Sequence, residues 1–312
     1  MDLHALASLI ARSPGLLAKR DLRAIAGAIG GDGDDAALVA AAGEGVVAAA
    51  EAIAPAMVAA APRPAGVAGV MTVVNDLAAT GARPAGILDT IVAPDAALVG
   101  EILAGLSSAA DLVGVPVLGG HTTVDPGAAP ALATFGIGVA ERPLAAAAAR
   151  PGDTICLAAC LEGELVEAGG VAMFSHLRGP RRARAREDLA LLADAAAAGE
   201  AWAARDVSMP GLVGSLVQMA EAAGGLGARV ALDAVPVPSG VPLERWLLAF
   251  PSYGFLLAGD PEALSARFGG AGLALAPVAT LDASGRIELV RGEEAALVWD
   301  LGSEPLTGLG GR

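Results

Sequence analysis

The sequence predicts an α/β or α+β protein built in two parts. Strand-like apolar runs alternate with helical periodicities in both halves, and a proline-bounded stretch separates them. The chain has 312 residues, enough for one large domain or two ordinary ones. It is 54% hydrophobic with 42 glycines and only 3% aromatic residues, so its core must be assembled from many small contacts.

The chain opens on a helical pattern, Leu3, Leu6, Leu9 and Ile10, which Ser13-Pro14-Gly15 breaks. Lys19, the only lysine, follows; it is either a by-product of an arginine-biased composition or a phosphate contact on a mobile N-terminal arm. Gly30 to Ala37, GGDGDDAA, suits an exposed turn or a cation site, since hard cations take oxygen ligands and glycine lets the backbone come close. Ala36–Val39 and Val46–Ala50 are predicted as short strands joined by a Gly43-Glu44-Gly45 hairpin, with Glu51 where the second run ends.

Val67, Val70, Val74 and Leu77 then form a helical apolar stripe, with Thr72, Asp76 and Thr80 as a polar row beside it. Gly81 stops that helix and Pro84 prevents its resumption. Asp76, in so apolar a setting, needs a partner: a metal ion, neighbouring backbone or water. Ile87–Val92 reads as a strand, Asp95 to about Gly114 as a helix, and Val115–Leu118 as a short buried strand. The last runs into Gly119-Gly120-His121-Thr122-Thr123, either a phosphate-cradling turn or an ordinary one, with His121 structural or catalytic. Ala131–Val139 is another strand, and Glu141–Gly152 is the expected junction.

In the second half a strand, Asp153–Ala159, precedes a polar, alanine-rich excursion to about Ala204. That excursion contains the basic run Arg178–Arg186, a solvated loop or helix start, or else a phosphate or partner contact. Asp206 stands as an N-cap before a helix whose inner face is Leu212, Leu216, Met219 and Ala220. Strands follow at Ala228–Leu232 and Phe255–Ala258.

A formal charge of -14 and a pI of about 4.6 argue against a nucleic-acid partner, which demands a basic face. Cys156 and Cys160 are too few for a disulfide framework or a zinc site and read as small hydrophobes in a reducing compartment. Glycine, proline and glutamate interrupt the apolar runs before membrane-spanning length, and the opening residues lack a secretory pattern, so a soluble cytoplasmic protein is expected.

Taken together, an acid pair after a glycine-rich approach, an acid after a strand, ND in a helix ending G-A-x-P, the GGHT segment and a later Asp before a helix form a recognisable order. It resembles the aminoimidazole-ribonucleotide synthetase (PurM-like) superfamily from about Gly30 to Leu301. That superfamily includes thiamine-monophosphate kinase, selenophosphate synthetase and the hydrogenase-maturation protein HypE. DVSMPG, FPSYGFLL and the late VWDL look most like its AIR-synthase-related branch.

The resemblance implies an N-terminal arm (1–30), a PurM-like N-terminal domain (31–142) and a C-terminal α/β sandwich domain (150–312). The N-terminal sheets would pair in a homodimer into a barrel, with ATP and Mg²⁺ held at the subunit and domain interface. By the same resemblance Asp35 is a Mg²⁺ ligand with Asp34 beside it, and Asp76 is the acid that bridges Mg²⁺ ions, with Asn75 next to it. Glu51 stands where the family has Asp, and Asp206 matches a C-terminal-domain metal or substrate acid. Gly119, Gly120, His121 and Thr122 match the segment on the ATP phosphates, and Lys19 would reach them if the arm folds over the site. The implied reaction is phosphoryl transfer or ATP-driven ligation on a small-molecule acceptor; the alternative is a nucleotide-binding scaffold without turnover. Departures favour no single named activity: Met209 follows Ser208 where the kinase pattern has an acid, and no reactive cysteine loop is present.

Overall fold

The computed structural model describes residues 2–24, 26, 33–39, 45–168 and 171–310. The glycine-rich approach through Asp32 and the expected hairpin turn at Gly43-Glu44 lie outside them.

The first half builds one five-stranded sheet from β1 (Ala37–Val39), β2 (Gly45–Ile53), β3 (Arg83–Ala93), β4 (Val117–Val124) and β5 (Ala131–Ala140), in the order β1-β2-β5-β3-β4. Pairing is antiparallel except for β3 with β4. Burial along β5 alternates strictly, with Leu132, Thr134, Gly136 and Gly138 facing inward and Phe135, Ile137 and Val139 facing out. One face therefore packs on the helices Pro62–Ala79 and Ala96–Val113, and the other is bare.

The second half contributes β6 (Thr154–Ala159), β7 (Glu164–Ala168), β8 (Val171–Ser175), β9 (Ala201–Asp206), β10 (Gly227–Ala231), β11 (Phe250–Pro251), β12 (Gly254–Gly259), β13 (Ala274–Asp282), β14 (Arg286–Arg291) and β15 (Glu294–Asp300). Seven of them form a mixed sheet ordered β15-β14-β10-β13-β6-β12-β9, and β11-β8-β7 form a small one. β6 and β12 read as unbroken apolar runs because both their faces are covered. Ile155, Leu157, Leu256 and Ala258 join a core with the helix Gly211–Ala222 and the N-terminal helix Leu3–Ala11. Cys156, Ala158, Phe255 and Leu257 join a core that continues into the first half. The two halves thus share apolar packing. Both cysteines are buried and free, with burial pushing the Cys156 thiol up to about 11, as expected of hydrophobes.

The helix Pro62–Ala79 is more deeply placed than a one-sided stripe implies. Fourteen of its eighteen residues are buried, because it lies between the first sheet and the second half of the chain. It also meets Ala96–Val113 at unusually close range: a Cβ on Gly66 would sit 2.1 Å from the Ile102 carbonyl oxygen, and one on Gly105 2.0 Å from that of Arg63. The reciprocal glycines let two backbones touch. Ala96–Val113, with mean hydropathy 1.5, has the length and composition of a membrane span. Val99, Ile102, Leu106 and Ala109 bury one side of it in the core.

Two expectations need correction, and the polar excursion after β6 gains defined elements. Val115–Leu118 is not a short buried strand before a turn; β4 runs through Gly119, Gly120, His121 and Thr122 as the exposed edge strand, because each continues the parallel ladder with β3. The excursion after β6 is structured: β7 and β8 form a hairpin, the arginine run passes through short 3₁₀ turns, and the helix Ala185–Ala198 leads into β9. Alanine gives too little apolar contrast for that helix to show a period. Asp206 ends β9 and is not an N-cap; the following helix starts at Gly211 after Pro210, without a side-chain cap.

Replacing Gly66 or Gly105 by alanine should lower unfolding free energy by about 1–3 kcal/mol, the usual cost of overpacking. Gly100→Ala, on the same helix with nothing within 4 Å of the added methyl, should be neutral or slightly stabilising. Urea unfolding of the three variants checks this, and equal losses would refute the close-contact reading.

Candidate active site: an acid cluster between the two halves

Asp35 lies just before β1, Asp76 near the end of the buried helix and Asp206 at the end of β9. Three segments far apart in sequence thus bring one carboxylate oxygen each to within 4.8 Å of the others. Glu51 at the end of β2 and Asp34 line the same cleft, whose volume is about 480 Å³. The arm does fold over this site: Lys19 lines the cleft and its charge acts on Asp35, Glu51 and Asp206. Gly15 seats the arm, since a Cβ there would lie 2.2 Å from the Met209 carbonyl oxygen.

Hydrogen bonds fix the acids individually. Asp35 accepts from the Asp206 amide at 3.0 Å and is paired at 2.9 Å with the buried Arg205 guanidinium. Arg205 also donates to the Gly33 carbonyl at 2.9 Å, tying the loop before β1 to β9. Asp34 accepts from the amides of Asp35 and Ala146, both at 2.9 Å. Glu51 lies close enough to Asp76 for its charge to disfavour ionisation of that buried carboxyl. Sequence reasoning missed Arg205. The signal was available in AARD, where a guanidinium on an otherwise apolar strand must find an acid.

Electrostatically the cluster is overloaded. Burial first, then Asp206, Glu51 and Asp35, pushes the Asp76 carboxyl well above the usual carboxylate range. Burial and then Asp35 does the same to Asp206. Asp34 is raised to about 6 by burial and by the neighbouring Asp35 charge. Asp35 and Glu51 are also raised, burial leading, although Arg205 and Lys19 respectively oppose it. Five carboxylates face two cations. The donors are all hard oxygens on short arms, so a divalent cation such as Mg²⁺ fits the residues present.

The other predicted residues are placed elsewhere. The Asn75 amide donates to the Ser252 carbonyl at 3.2 Å, bracing the buried helix against the second half. Gly119, Gly120, His121 and Thr122 do not line the acid cleft; β5 and β3 stand between their edge strand and β2. Gly120 is packed against Asp89, whose carboxylate oxygen would lie 2.6 Å from a Cβ there. Met209, 42% exposed, lines the cleft where the kinase pattern has an acid.

Against this geometry, residues 33–140 match the family model described as AIR synthase related protein, N-terminal domain, and residues 158–292 match its C-terminal domain. The chain belongs to the AIR synthase related family. The uncharacterized protein sll0787 of Synechocystis sp. is 31% identical over 296 residues, covering 89% of this chain and 87% of that protein. The selenide, water dikinase of Myxococcus xanthus is 33% identical over 177 residues, covering 53% of this chain and 48% of the dikinase. Among solved structures, T. maritima PurL complexed with ATP superposes with a TM-score of 0.71 at 20% identity, over 88% of this chain and 46% of PurL. The chain therefore spans about half of PurL, and the two-domain PurM-like fold is what that likeness shows.

Raised carboxylate pKa values make the cation-free protein pH-sensitive. Protonated in the folded state and ionised when unfolded, Asp34 supports folding below 3.8 and loses that support as pH rises to about 6. The other four acids shift in the same direction. The melting-temperature gain from Mg²⁺ over a chelator should therefore be small near pH 5 and grow toward pH 7.5, by roughly 2–4 °C for each kcal/mol of stabilisation. A gain of zero, or one that does not change with pH, contradicts the overloaded cluster.

Proposed function

We propose that this AIR synthase related protein binds ATP with Mg²⁺ and transfers the γ-phosphoryl group to a small-molecule acceptor, as product or as a step in an ATP-driven ligation. The observation that carries the proposal is the convergence of Asp35, Asp76 and Asp206 within 4.8 Å beneath Lys19. ATP brings about four negative charges, which tolerate such acids only with metal between them. The dikinase name of one relative and the ATP in the PurL complex support the nucleotide.

Asp35, Asp76 and Asp206, with Asp34 and Glu51 alongside, would hold Mg²⁺, which neutralises charge on the transferring phosphoryl group. Lys19 is the cation of the chain itself that faces the phosphates. Arg205 aims Asp35 and opposes the burial that disfavours its charge. Catalysis on this reading is positioning and charge neutralisation, without covalent work by the protein.

Gly119, Gly120, His121 and Thr122 lie on an exposed edge strand beside the bare sheet face of Leu88, Phe135, Ile137 and Val139. We assign that face to a homodimer in which the edge strand meets the nucleotide across the interface, with His121 touching phosphate. Neither nucleic acid nor membrane is a partner on this reading, and the protein works in the cytoplasm.

A second reading, a nucleotide-binding scaffold without turnover, is favoured by one feature: Met209 in place of an acid on the cleft wall. Incubation with ATP, Mg²⁺ and a panel of small acceptors separates the two. The enzyme reading expects ADP formation that falls at least about 10²-fold in Asp76→Asn. ATP binding with no ADP under any condition selects the scaffold, and absence of ATP binding removes both. Sedimentation velocity tests the dimer: the wild type should run as a dimer and Ile137→Asp as a monomer. A monomeric wild type would defeat the interface.

A further inference from the structure

A second cavity, of about 280 Å³, adjoins the acid cleft. Met57 and Met173, two flexible apolar side chains, line both. One wall comes from the first half of the chain, through Arg63, Val67, Ser108 and Leu112, and the other from β7, β8 and the turns after them. The floor is apolar, with Val67, Leu112, Val166 and Leu177, and the rim carries Arg63, Arg178 and Arg182. Three arginines around one small cavity are unexpected in a chain of net charge -14.

These arginines are not structural ties. Arg63 and Arg182 make no side-chain ion pair or hydrogen bond among the described residues. Arg178 reaches Glu164 only at 3.7 Å, with both side chains half-exposed, a pairing of little strength. Their neighbour Arg181 shows the contrast: it is buried, bidentate to Asp188 at 2.6 and 2.7 Å, and donates to the Ala271 and Gly272 carbonyls. Within one basic run, Arg181 is committed to the fold while Arg178 and Arg182 are free to meet a ligand. Guanidinium groups suit oxyanions because their planar forks donate two parallel bonds.

We propose that this cavity is the acceptor pocket, and that it takes a small molecule with an apolar body and a terminal oxyanion. The tail lies on Arg63, Arg178 and Arg182, the body on the apolar floor, and the opposite end faces the acids past Met57 and Met173. The volume falls just below the ~300–1,000 Å³ of drug-sized sites, so the body is small. The role as acceptor pocket rests on the phosphoryl-transfer reading above; the binding of the anion does not.

The test is ligand-observed NMR titration of the full-length protein with phenyl phosphate, benzoate and neutral benzyl alcohol at fixed ionic strength. At least one anion should bind saturably and the alcohol much more weakly. Phenyl phosphate alone marks a phosphomonoester tail, and benzoate a carboxylate. The pair Arg178→Gln and Arg182→Gln should weaken the anion about tenfold or more. Ser108→Trp, which fills the pocket from the opposite wall, should abolish binding, while the melting shift with ATP and Mg²⁺ stays as in wild type. Absence of saturable anion binding, anion binding indifferent to both sets of substitutions, or benzyl alcohol binding as tightly as the anions would overturn the proposal. Arginine-dependent anion binding in a protein that shows no response to ATP would keep the pocket and remove the reaction assigned to it.

Discussion

The architecture turns on the repulsion and desolvation of five carboxylates gathered in one cleft. Arg205 is the protein's internal answer to it. Buried beside Asp35, it offsets one negative charge and, through Gly33, ties the loop before β1 to the end of β9. Its own burial disfavours the charge, but the surrounding acids outweigh that and hold it firmly protonated. Lys19 adds a second cation from a different segment. Among the described residues the remaining charge has no cationic partner, which leaves the cluster protonated or filled by a cation.

Everything that brings the acids together serves that cleft. The helix Pro62–Ala79 is held between the first sheet and the second half by its glycine contact with Ala96–Val113 and by the Asn75 bond to Ser252. The end of β9 fixes Asp206 while its neighbour Arg205 turns to Asp35. Glu221 fastens the C-terminal segment by accepting from Thr307 and Gly308, which leaves Leu309 on the cleft wall. Because cores run on through β6 and β12 into the first half, the cleft is built into shared packing.

Much of this was legible before the structure. Apolar strand-like runs and helical stripes placed β3, β5, β6, β12 and the helices ending at Gly81 and Gly114, since glycine in left-handed backbone stops a helix visibly. The acids Asp35, Asp76 and Asp206 were legible through the order of their motifs and through the anomaly of Asp76 in an apolar helix. Less legible was what depends on tertiary placement. The GGHT segment has turn chemistry yet continues a parallel ladder, because its neighbour β3 supplies the pairing. Asp206 looks like a cap in sequence and only the strand end turns it toward the other acids. The alanine-rich helix before β9 had no periodic contrast, and the arginines beyond β8 showed their separate roles only once Arg181 was seen tied to Asp188.

The central claim is that a divalent cation sits among Asp35, Asp76 and Asp206. Anomalous diffraction from crystals grown with Mn²⁺ and a non-hydrolysable ATP analogue tests it most directly. A manganese peak bonded to at least two of those three carboxylates, and lost in Asp76→Asn crystals, is the predicted result. Manganese bound elsewhere, or none in a cleft that nonetheless holds nucleotide, would contradict it.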